Sequence, residues 1–164
     1  MPLALVLMGV AGCGKSTVGE ALAAAIDGRY IDGDALHPDQ NIAKMARGAA
    51  LQDQDRWPWL DAVGAALRQE AVVGCSALKR AYRDRIRAHA PEACFIHLRG
   101  SPALIEARMA ARTGHFMPMS LLESQFAALE PPQPDESAIT VDIDQPIAAI
   151  VTAIVTALRQ KSKP

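Results

Sequence analysis

A glycine-rich run near the start of the chain has the residue types and spacing of a phosphate-binding loop. Residues 9–16 read Gly-Val-Ala-Gly-Cys-Gly-Lys-Ser and fit the pattern GxxxxGK[ST]. Glycines let backbone N–H groups approach phosphate oxygens, and the helix that follows adds the positive end of its dipole. Lys15 can bridge the β- and γ-phosphates of a nucleotide, and Ser16 can ligate Mg²⁺. The predicted ATP-binding residues of this loop are Gly9, Val10, Ala11, Gly12, Cys13, Gly14, Lys15, Ser16 and Thr17.

The alternative explanation of this run is a flexible glycine turn. It is disfavoured because a short apolar run precedes the loop and a helical pattern follows it, which is the context that a phosphate-binding loop requires. Cys13 lies inside the loop, where a lowered thiol pKa is conceivable. We interpret it instead as a small, space-filling side chain.

Two carboxylates follow the second predicted strand, in the sequence Asp32-Gly33-Asp34. Acids two residues apart on an extended segment face the same side, and strand ends line the ligand crevice of a parallel sheet. One acid can hold Mg²⁺-bound water, while the other can orient or deprotonate a substrate hydroxyl. A simple Asp-Gly turn is the alternative explanation.

Cationic and polar side chains recur beside the predicted strand ends. His37, Asn41 and Lys44 are spaced four and three apart, as on one helix face. Lys79 and Arg83 are four apart after the third strand and suit a carboxylate or phosphate ligand. Each of them taken singly is also explained by a solvated basic helix, so the prediction depends on the whole set.

A second basic pair, Arg108 and Arg112, is also spaced four apart. Arginines on a helical lid commonly close over a transferring phosphoryl group and balance its developing charge. An exposed arginine-bearing helix is the alternative.

Apolar runs and helical patterns alternate along the whole chain, which predicts an α/β fold with a parallel sheet and helices on both faces. We expect one domain, residues 1–164, with a lid at about 105–130. Strands are predicted at 3–8, 29–31, 71–75, 94–98 and 139–143. Helices are predicted at 15–26, 38–47, 54–69 (with Pro58 in its first turn), 79–89, 102–113, 121–130 and 146–159.

The bulk composition excludes several classes of protein. The 164 residues are 50% hydrophobic and carry a formal net charge of -1, so no basic excess points to nucleic acid. The apolar start is too short to span a bilayer and lacks the positive charge of a signal peptide. Three widely spaced cysteines indicate neither a zinc site nor a disulfide framework. These features favour a cytoplasmic protein without membrane or nucleic-acid partners.

A GTPase switch is the rival from another class of P-loop protein. It would need a guanine-reading NKxD sequence, which the chain lacks. Asp61 to Gly64 match DxxG, but they fall in the middle of a predicted helix. The run Ser76-Ala77-Leu78 lies too early in the chain to be a guanine loop.

These motifs taken together resemble the bacterial gluconate kinases of the nucleoside-monophosphate-kinase-like fold, and the likeness covers essentially the whole chain. The matching segments are Leu7–Val10 with the loop, Asp32–Asp34, Leu36–Pro38, Asn41–Ile42, Lys44–Met45, Gly48, Leu51, Asp53, Asp55–Arg56, Pro58–Leu60, Cys75–Lys79, Tyr82–Arg83, Gly114–Phe116, Gln125–Phe126 and Val141–Pro146.

The resemblance implies a three-layer P-loop fold with strand order 2-3-1-4-5 and a helical lid. It implies ATP- and Mg²⁺-dependent phosphorylation of D-gluconate at its 6-hydroxyl, which feeds the pentose phosphate or Entner-Doudoroff routes, and it suggests a homodimer. By similarity to shikimate kinases, Asp32 is expected near Mg²⁺ with Ser16, and Asp34 on the substrate hydroxyl.

The resulting hypothesis gives each remaining candidate a role. Lys15, Arg108 and Arg112 balance charge on the transferring group. Adenine lies between the lid arginines and the loop that contains Gln145 and Pro146. The acid substrate is gripped by residues that we expect to be Asp34, His37, Arg56, Lys79 and Arg83.

Departures from the family pattern are Ala50 where proline is usual, a shortened link at 69–71, and Met117-Pro118-Met119 in the lid. A kinase for shikimate, adenylyl sulfate or a nucleoside monophosphate is the nearest rival. A nucleotide-binding regulator without turnover is the rival from a non-enzyme class.

Overall fold

Five parallel strands form a single sheet in the computed structural model of the chain, which describes residues 4–111 and 119–163. The order across the sheet is β2-β3-β1-β4-β5, so the predicted strand order is confirmed. The strands are β1 (Leu5–Met8), β2 (Arg29–Asp32), β3 (Ala71–Gly74), β4 (Cys94–Arg99) and β5 (Ile139–Asp142).

The central strand β1 pairs with β3 on one side and β4 on the other, with Leu5 opposite both Val72 and Cys94. All four residues of β1 are buried, which explains why its sequence is a continuous apolar run rather than an alternating one. The edge strand β5 does alternate, because Ile139 and Val141 face the core while the residues between and after them are exposed.

The described residues contain seven helices and two short 3-10 turns, which connect the strands or, in the case of the last helix, follow β5. The helix after β4, for example, begins with a side-chain cap, in which Ser101 Oγ accepts the Leu104 N–H at 3.1 Å and Pro102 is the first helical residue. The helices are α1 (Lys15–Ala25), α2 (Asp39–Ala46), α3 (Asp53–Leu67), α4 (Arg80–His89), α5 (Pro102–Ala110), α6 (Met119–Ala128) and α7 (Ile147–Lys161), and the 3-10 turns are Gly33–Leu36 and Pro134–Glu136.

One helix boundary differs from the prediction in an instructive way. A capping box formed by Gln52 and Asp55 starts α3 at Asp53. Pro58 therefore lies in the second turn of the helix and not in the first.

The helices cover the sheet on both faces and create two separate apolar cores. On one face, α1, α5, α6 and α7 pack around residues such as Leu22, Ile105 and Ile154. On the other face, α3 and α4 pack around residues such as Leu60 and Ile86. This is the predicted three-layer α/β fold, and it brings the carboxyl ends of all five strands to one edge. None of the helices in the described residues is long and apolar enough to cross a membrane.

Candidate active site

The glycine-rich loop connects β1 to α1 and wraps around its own backbone. Gly9, Gly12 and Gly14 all have positive φ angles, of 150°, 81° and 96°. A Cβ atom on Gly12 would also lie 2.8 Å from the side chain of Met109 in α5. The left-handed φ at Gly12 favours glycine, and a side chain at this position would also require Met109 to move.

Two side chains within the loop show how it is built. The Lys15 Nζ donates to the carbonyl oxygens of Gly9 and Val10, at 3.0 and 3.1 Å, and so lies across the loop. Cys13 points into the core and is 1% exposed, and burial raises the pKa of its thiol although Lys15 opposes this. The space-filling interpretation of Cys13 agrees with this burial.

The two acids of Asp32-Gly33-Asp34 lie close together, but not for the predicted reason. The strand ends at Asp32, and Asp34 already belongs to the 3-10 turn Gly33–Leu36, so the expectation of an extended segment was wrong. Instead, Asp32 Oδ1 accepts the Asp34 N–H at 3.0 Å. Gly33 packs against Gly74, where a Cβ atom would lie 2.3 Å from the carbonyl oxygen. This close approach fixes the turn that presents both carboxylates.

Tyr30 links these acids to the phosphate-binding loop. Its hydroxyl lies 3.4 Å from Ser16 Oγ at the start of α1. Burial raises the pKa of Tyr30, and the nearby carboxylates of Asp32 and Asp34 raise it further although Ser16 opposes this. The Tyr30 hydroxyl therefore contacts Ser16, and both acids lie near enough to act on it through their charge.

A hydroxyl and carboxylates fit Mg²⁺, which is a hard cation that prefers oxygen ligands and keeps several waters. Ser16 and Asp32 are both exposed at the open edge of the sheet. Within residues 4–111 and 119–163, no three His, Cys, Asp or Glu side chains form a metal cluster. The protein therefore offers few ligands for Mg²⁺, as P-loop proteins do, in which phosphate oxygens of the nucleotide supply further ligands.

His37 follows the acid-bearing turn and is held by two neighbours, Trp59 and Asn41. Its ring stacks on Trp59, with centroids 4.2 Å apart, and Trp59 Nε1 donates to the Gly33 carbonyl at 2.8 Å. Asn41 Nδ2 donates to His37 Nδ1 at 3.2 Å and to the Asp55 carbonyl at 2.8 Å. Because Nδ1 then accepts, the proton of neutral His37 lies on Nε2.

The protonation of His37 follows from its surroundings. Burial lowers the pKa of His37, and Arg56 lowers it further although Asp34 opposes this. The ring is therefore a neutral donor at neutral pH. The amide oxygen of Asn41 is buried and has no hydrogen-bond partner among the described residues.

A cationic pair, Arg56 and Lys79, lies against the ring of Tyr82. Arg56 and Lys79 approach the Tyr82 ring at 5.4 and 5.7 Å from its centroid. The Tyr82 hydroxyl donates to Asp53 Oδ1 at 2.6 Å, and this hydrogen bond, with Lys79 and Arg56 nearby, lowers the pKa of Asp53. Burial, and then the Asp53 carboxylate, raises the pKa of Tyr82 to about 12. The cluster brings α3 and α4 together and presents two positive charges.

Arg83 does not belong to this cationic surface, which corrects its assignment to substrate binding. It is 0% exposed. All five of its N–H groups are used: two by Glu136, and one each by the carbonyls of Ala77, Leu78 and Glu130. The side chain points into the protein because this buried acid and these carbonyls lie beneath it. Arg83 therefore holds the structure together and has no donor left for a ligand.

Arg108 lies beside the loop that follows β5, where its Nη2 donates to the Ile143 carbonyl at 2.5 Å. In the same loop Gln145 Nε2 donates to the Asp142 carbonyl at 2.7 Å, and Pro146 precedes α7. The structure thus brings Arg108 next to the segment predicted to face adenine. Arg112, the other predicted lid arginine, lies outside the described residues.

Three contacts in this region involve residues to which no role was assigned from the sequence. Asp53 accepts from Tyr82, Trp59 supports His37, and Gln125 Oε1 accepts the Ala11 N–H at 2.6 Å. Each partner lies far away in the sequence or in another helix. Only the membership of these residues in family-like segments marked them in advance.

Fold and site together define a class of protein, the P-loop kinases with a small three-layer α/β domain. A family model described as Shikimate kinase matches residues 11–159. The thermosensitive gluconokinase of Escherichia coli (strain K12) is 45% identical over 152 residues, covering 88% of this chain and 81% of the relative. The thermoresistant gluconokinase of the same organism is 42% identical over 162 residues, covering 94% and 93%.

A solved structure agrees with these relatives. The crystal structure of a gluconokinase from Sinorhizobium meliloti 1021 matches with a TM-score of 0.89 at 49% identity, covering 98% of this chain and 94% of that one. The chain belongs to the gluconokinase family of shikimate-kinase-like P-loop proteins. The resemblance inferred from the sequence is therefore confirmed.

Proposed function

We propose that this protein transfers the γ-phosphoryl group of ATP to the 6-hydroxyl of D-gluconate, giving 6-phosphogluconate and ADP. The observation that carries the proposal is the likeness to gluconokinases over nearly the whole chain. The site supports it, because a phosphate-binding loop, paired acids and a cationic pair lie at the carboxyl ends of neighbouring strands, where α/β proteins bind ligands.

The nucleotide is bound by the loop of residues 9–17, whose N–H groups and Lys15 contact the phosphates. Arg108, with Arg112, balances charge on the transferring group, and the loop at Gln145 and Pro146 borders the adenine. Ser16 and Asp32 would hold Mg²⁺, which would neutralise charge on the phosphates.

The acceptor lies between the acid-bearing turn and the cationic pair. Lys79 and Arg56 grip the carboxylate of gluconate, taking over the role first given to Arg83. The Nε2–H of neutral His37 donates to a substrate hydroxyl. Stacking on Trp59 and the hydrogen bond from Asn41 fix the ring for this task.

Asp34 orients the 6-hydroxyl for in-line attack. A bond forms between that oxygen and the γ-phosphorus, and the bond from the γ-phosphorus to the β,γ-bridging oxygen breaks. The hydroxyl proton passes to Asp34 and then to water. Because the transition state is loose, orientation and charge balance supply most of the rate enhancement.

Two further properties belong to this proposal. The family resemblance favours a homodimer, which light scattering of the purified protein tests. The three free cysteines, Cys13, Cys75 and Cys94, favour a reducing compartment such as the cytoplasm.

The test is release of ADP by purified protein with Mg-ATP, compared across gluconate, epimeric aldonic acids, shikimate and AMP. Stimulation by gluconate, with 6-phosphogluconate as the product, is the expected result. Stimulation by a different acceptor would show that the protein is a kinase but that gluconate is not its substrate. Nucleotide binding without any stimulated turnover would indicate a regulator.

A further inference from the structure

The side chain of Gln125 in α6 reaches the phosphate-binding loop. Its Oε1 accepts the backbone N–H of Ala11 at 2.6 Å, across 114 positions of sequence. Ala11 is the third residue of the GxxxxGK[ST] pattern. The segment Gln125–Phe126 belongs to the family likeness, yet the roles assigned above leave Gln125 without one.

This contact fixes the orientation of the side-chain amide. A backbone N–H group can only donate, so it is the carbonyl oxygen of Gln125 that faces Ala11. The Nε2 group, with two N–H donors, lies on the other side of the amide carbon. Among the described residues, no protein acceptor forms a hydrogen bond with Nε2.

The contact lies in the part of the loop that Lys15 crosses. Lys15 Nζ donates to the Gly9 and Val10 carbonyls, immediately before Ala11. The lysine of such a loop serves the β- and γ-phosphates. Gly12, on the other side of Ala11, packs against Met109 of α5. Gln125 therefore contacts the loop next to the backbone groups that hold Lys15, the residue expected to serve the γ-phosphate.

The helix that carries Gln125 is anchored to the core. Leu122 is 3% exposed and packs in the same apolar cluster as Val10 and Cys13 of the loop. Just beyond the end of α6, the Glu130 N–H donates to the Leu78 carbonyl at 2.7 Å, next to Lys79. A donor on such an anchored element is held in place before the ligand binds, which reduces the entropy lost on binding.

We propose that Gln125 is a γ-phosphate-binding residue, which uses the Ala11 N–H to orient its own amide and donates Nε2–H to the transferring phosphoryl group. The inference rests on the proposed function, since it assigns a further residue to the same site. A neutral donor in this position stabilises negative charge on the γ-phosphoryl oxygens without adding a fixed charge. The competing explanation is that Gln125 only braces the loop.

The first test is nucleotide binding without any acceptor, measured by titration calorimetry with Mg²⁺ and either AMPPNP or ADP. In Gln125→Met the affinity for AMPPNP should fall about ten-fold, as expected for one hydrogen bond to a charged group, while that for ADP changes less than about two-fold. Glu123→Gln, an exposed change on the same helix, is the matched control and should match wild type. Equal losses for both nucleotides, or no loss, would overturn the proposal.

Turnover of Gln125→Glu gives the second test, because a carboxylate still accepts from Ala11 but cannot donate. We expect kcat to fall at least about ten-fold in both Gln125→Glu and Gln125→Met, with the KM for the acceptor unchanged. Wild-type turnover in Gln125→Glu would show that Gln125 only stabilises the loop and does not bind the γ-phosphate. The proposed function has a separate test: it fails if wild type binds AMPPNP more tightly than ADP but gluconate does not stimulate turnover. In that case the ratio of AMPPNP affinity to ADP affinity in Gln125→Met still decides whether Gln125 binds the γ-phosphate.

Discussion

Asp34 is the residue on which the proposed chemistry depends most directly. Its carboxylate is exposed at the strand edge, and its backbone N–H is held by Asp32 Oδ1 at 3.0 Å. The turn is thus fixed by the backbone, while the side chain stays available for a hydroxyl group. Asp34 can therefore be changed without removing the hydrogen bond that shapes the turn.

In Asp34→Asn, we expect kcat to fall by about a hundred-fold or more, within the range for loss of a general base. ATP affinity should remain near that of wild type, because the loop of residues 9–17 is untouched. Coupled detection of ADP and titration with AMPPNP measure the two quantities. Asp27→Asn is the matched control, since Asp27 is an exposed acid beyond the far end of α1 with a φ of 56° that Asn tolerates. Turnover retained in Asp34→Asn would remove Asp34 from the mechanism.

Lys79 tests the proposed carboxylate contact. In Lys79→Met the KM for gluconate should rise about ten-fold or more, because a charge-assisted hydrogen bond is lost. The preference for gluconate over the uncharged alditol of the same length should shrink by the same factor. Lys163→Met, in the exposed C-terminal tail, serves as the control for loss of one positive charge. An unchanged ratio between the two acceptors would show that Lys79 does not bind the carboxylate.

At the scale of elements, helix α3 organises the acceptor side of the site. Its first turns carry Asp53, Asp55 and Arg56, and one turn later Trp59 supports both Gly33 and His37. Lys44 Nζ contacts Asp55 Oδ2 at 2.7 Å, which docks α2 onto the start of α3. Since α2, the acid-bearing turn and α4 all contact α3, a shift of this helix would move every acceptor group together.

The close contact between Gly33 and β3 is the most sensitive point of this arrangement. A Cβ atom in Gly33→Ala would lie 2.3 Å from the Gly74 carbonyl oxygen, so the backbone must move. We expect a loss of about 1–3 kcal/mol in the free energy of unfolding and a larger relative loss of kcat, because Asp34 moves with the turn. Urea unfolding and steady-state assays measure both.

The control for that change is Gly28→Ala. A Cβ atom at Gly28 has its nearest neighbour at 3.7 Å, which is an ordinary contact. Stability and turnover of Gly28→Ala should stay close to wild type. If Gly33→Ala behaved in the same way, the tight packing at this turn would not be what positions Asp34.

At the scale of the whole molecule, a buried ion pair connects α4 with the segment before β5. Arg83 Nε lies 2.7 Å from Glu136 Oε1, and both side chains are 0% exposed. Arg87 approaches the same carboxylate at 2.7 Å. Removing one partner leaves a buried charge, so Arg83→Leu should cost about 3–5 kcal/mol of unfolding free energy.

This pair also predicts how stability depends on pH. Burial alone would raise the pKa of Glu136, but hydrogen bonds from Arg83, the Gln133 N–H and Arg87 lower it to about 2 from an ordinary 4.5. Because the folded pKa is the lower one, the contribution to stability is present above about pH 4.5 and is lost as the pH falls towards about 2.

Urea unfolding at pH 7, 5 and 3 measures this effect. Wild type should lose stability between pH 5 and 3 more steeply than Glu136→Gln does, since the variant has no carboxylate to titrate. Asp39→Asn, in the exposed first turn of α2, controls for the general loss of a negative charge. Parallel pH curves for wild type and Glu136→Gln would contradict the assignment.

The sequence by itself determined the phosphate-binding loop and the alternation of strands and helices, and its resemblance to the gluconate kinases implied the family and the strand order. The loop and the alternation depend on local patterns, such as the glycine spacing of residues 9–16 and the continuous apolar runs of buried strands. Chain connectivity and handedness then leave few ways to arrange alternating strands and helices. Spacing also placed Lys79 and Arg83 on one helix, but it could not distinguish their roles.

Only the tertiary structure decided which side chains face a ligand and which face one another. Arg83 meets Glu136 across 53 positions, and Gln125 meets Ala11 across 114. A charged or amide side chain binds whatever donor or acceptor the packing brings within about 3 Å. Periodicity fixes a face of a helix, whereas the partner on that face depends on elements that are distant in the chain.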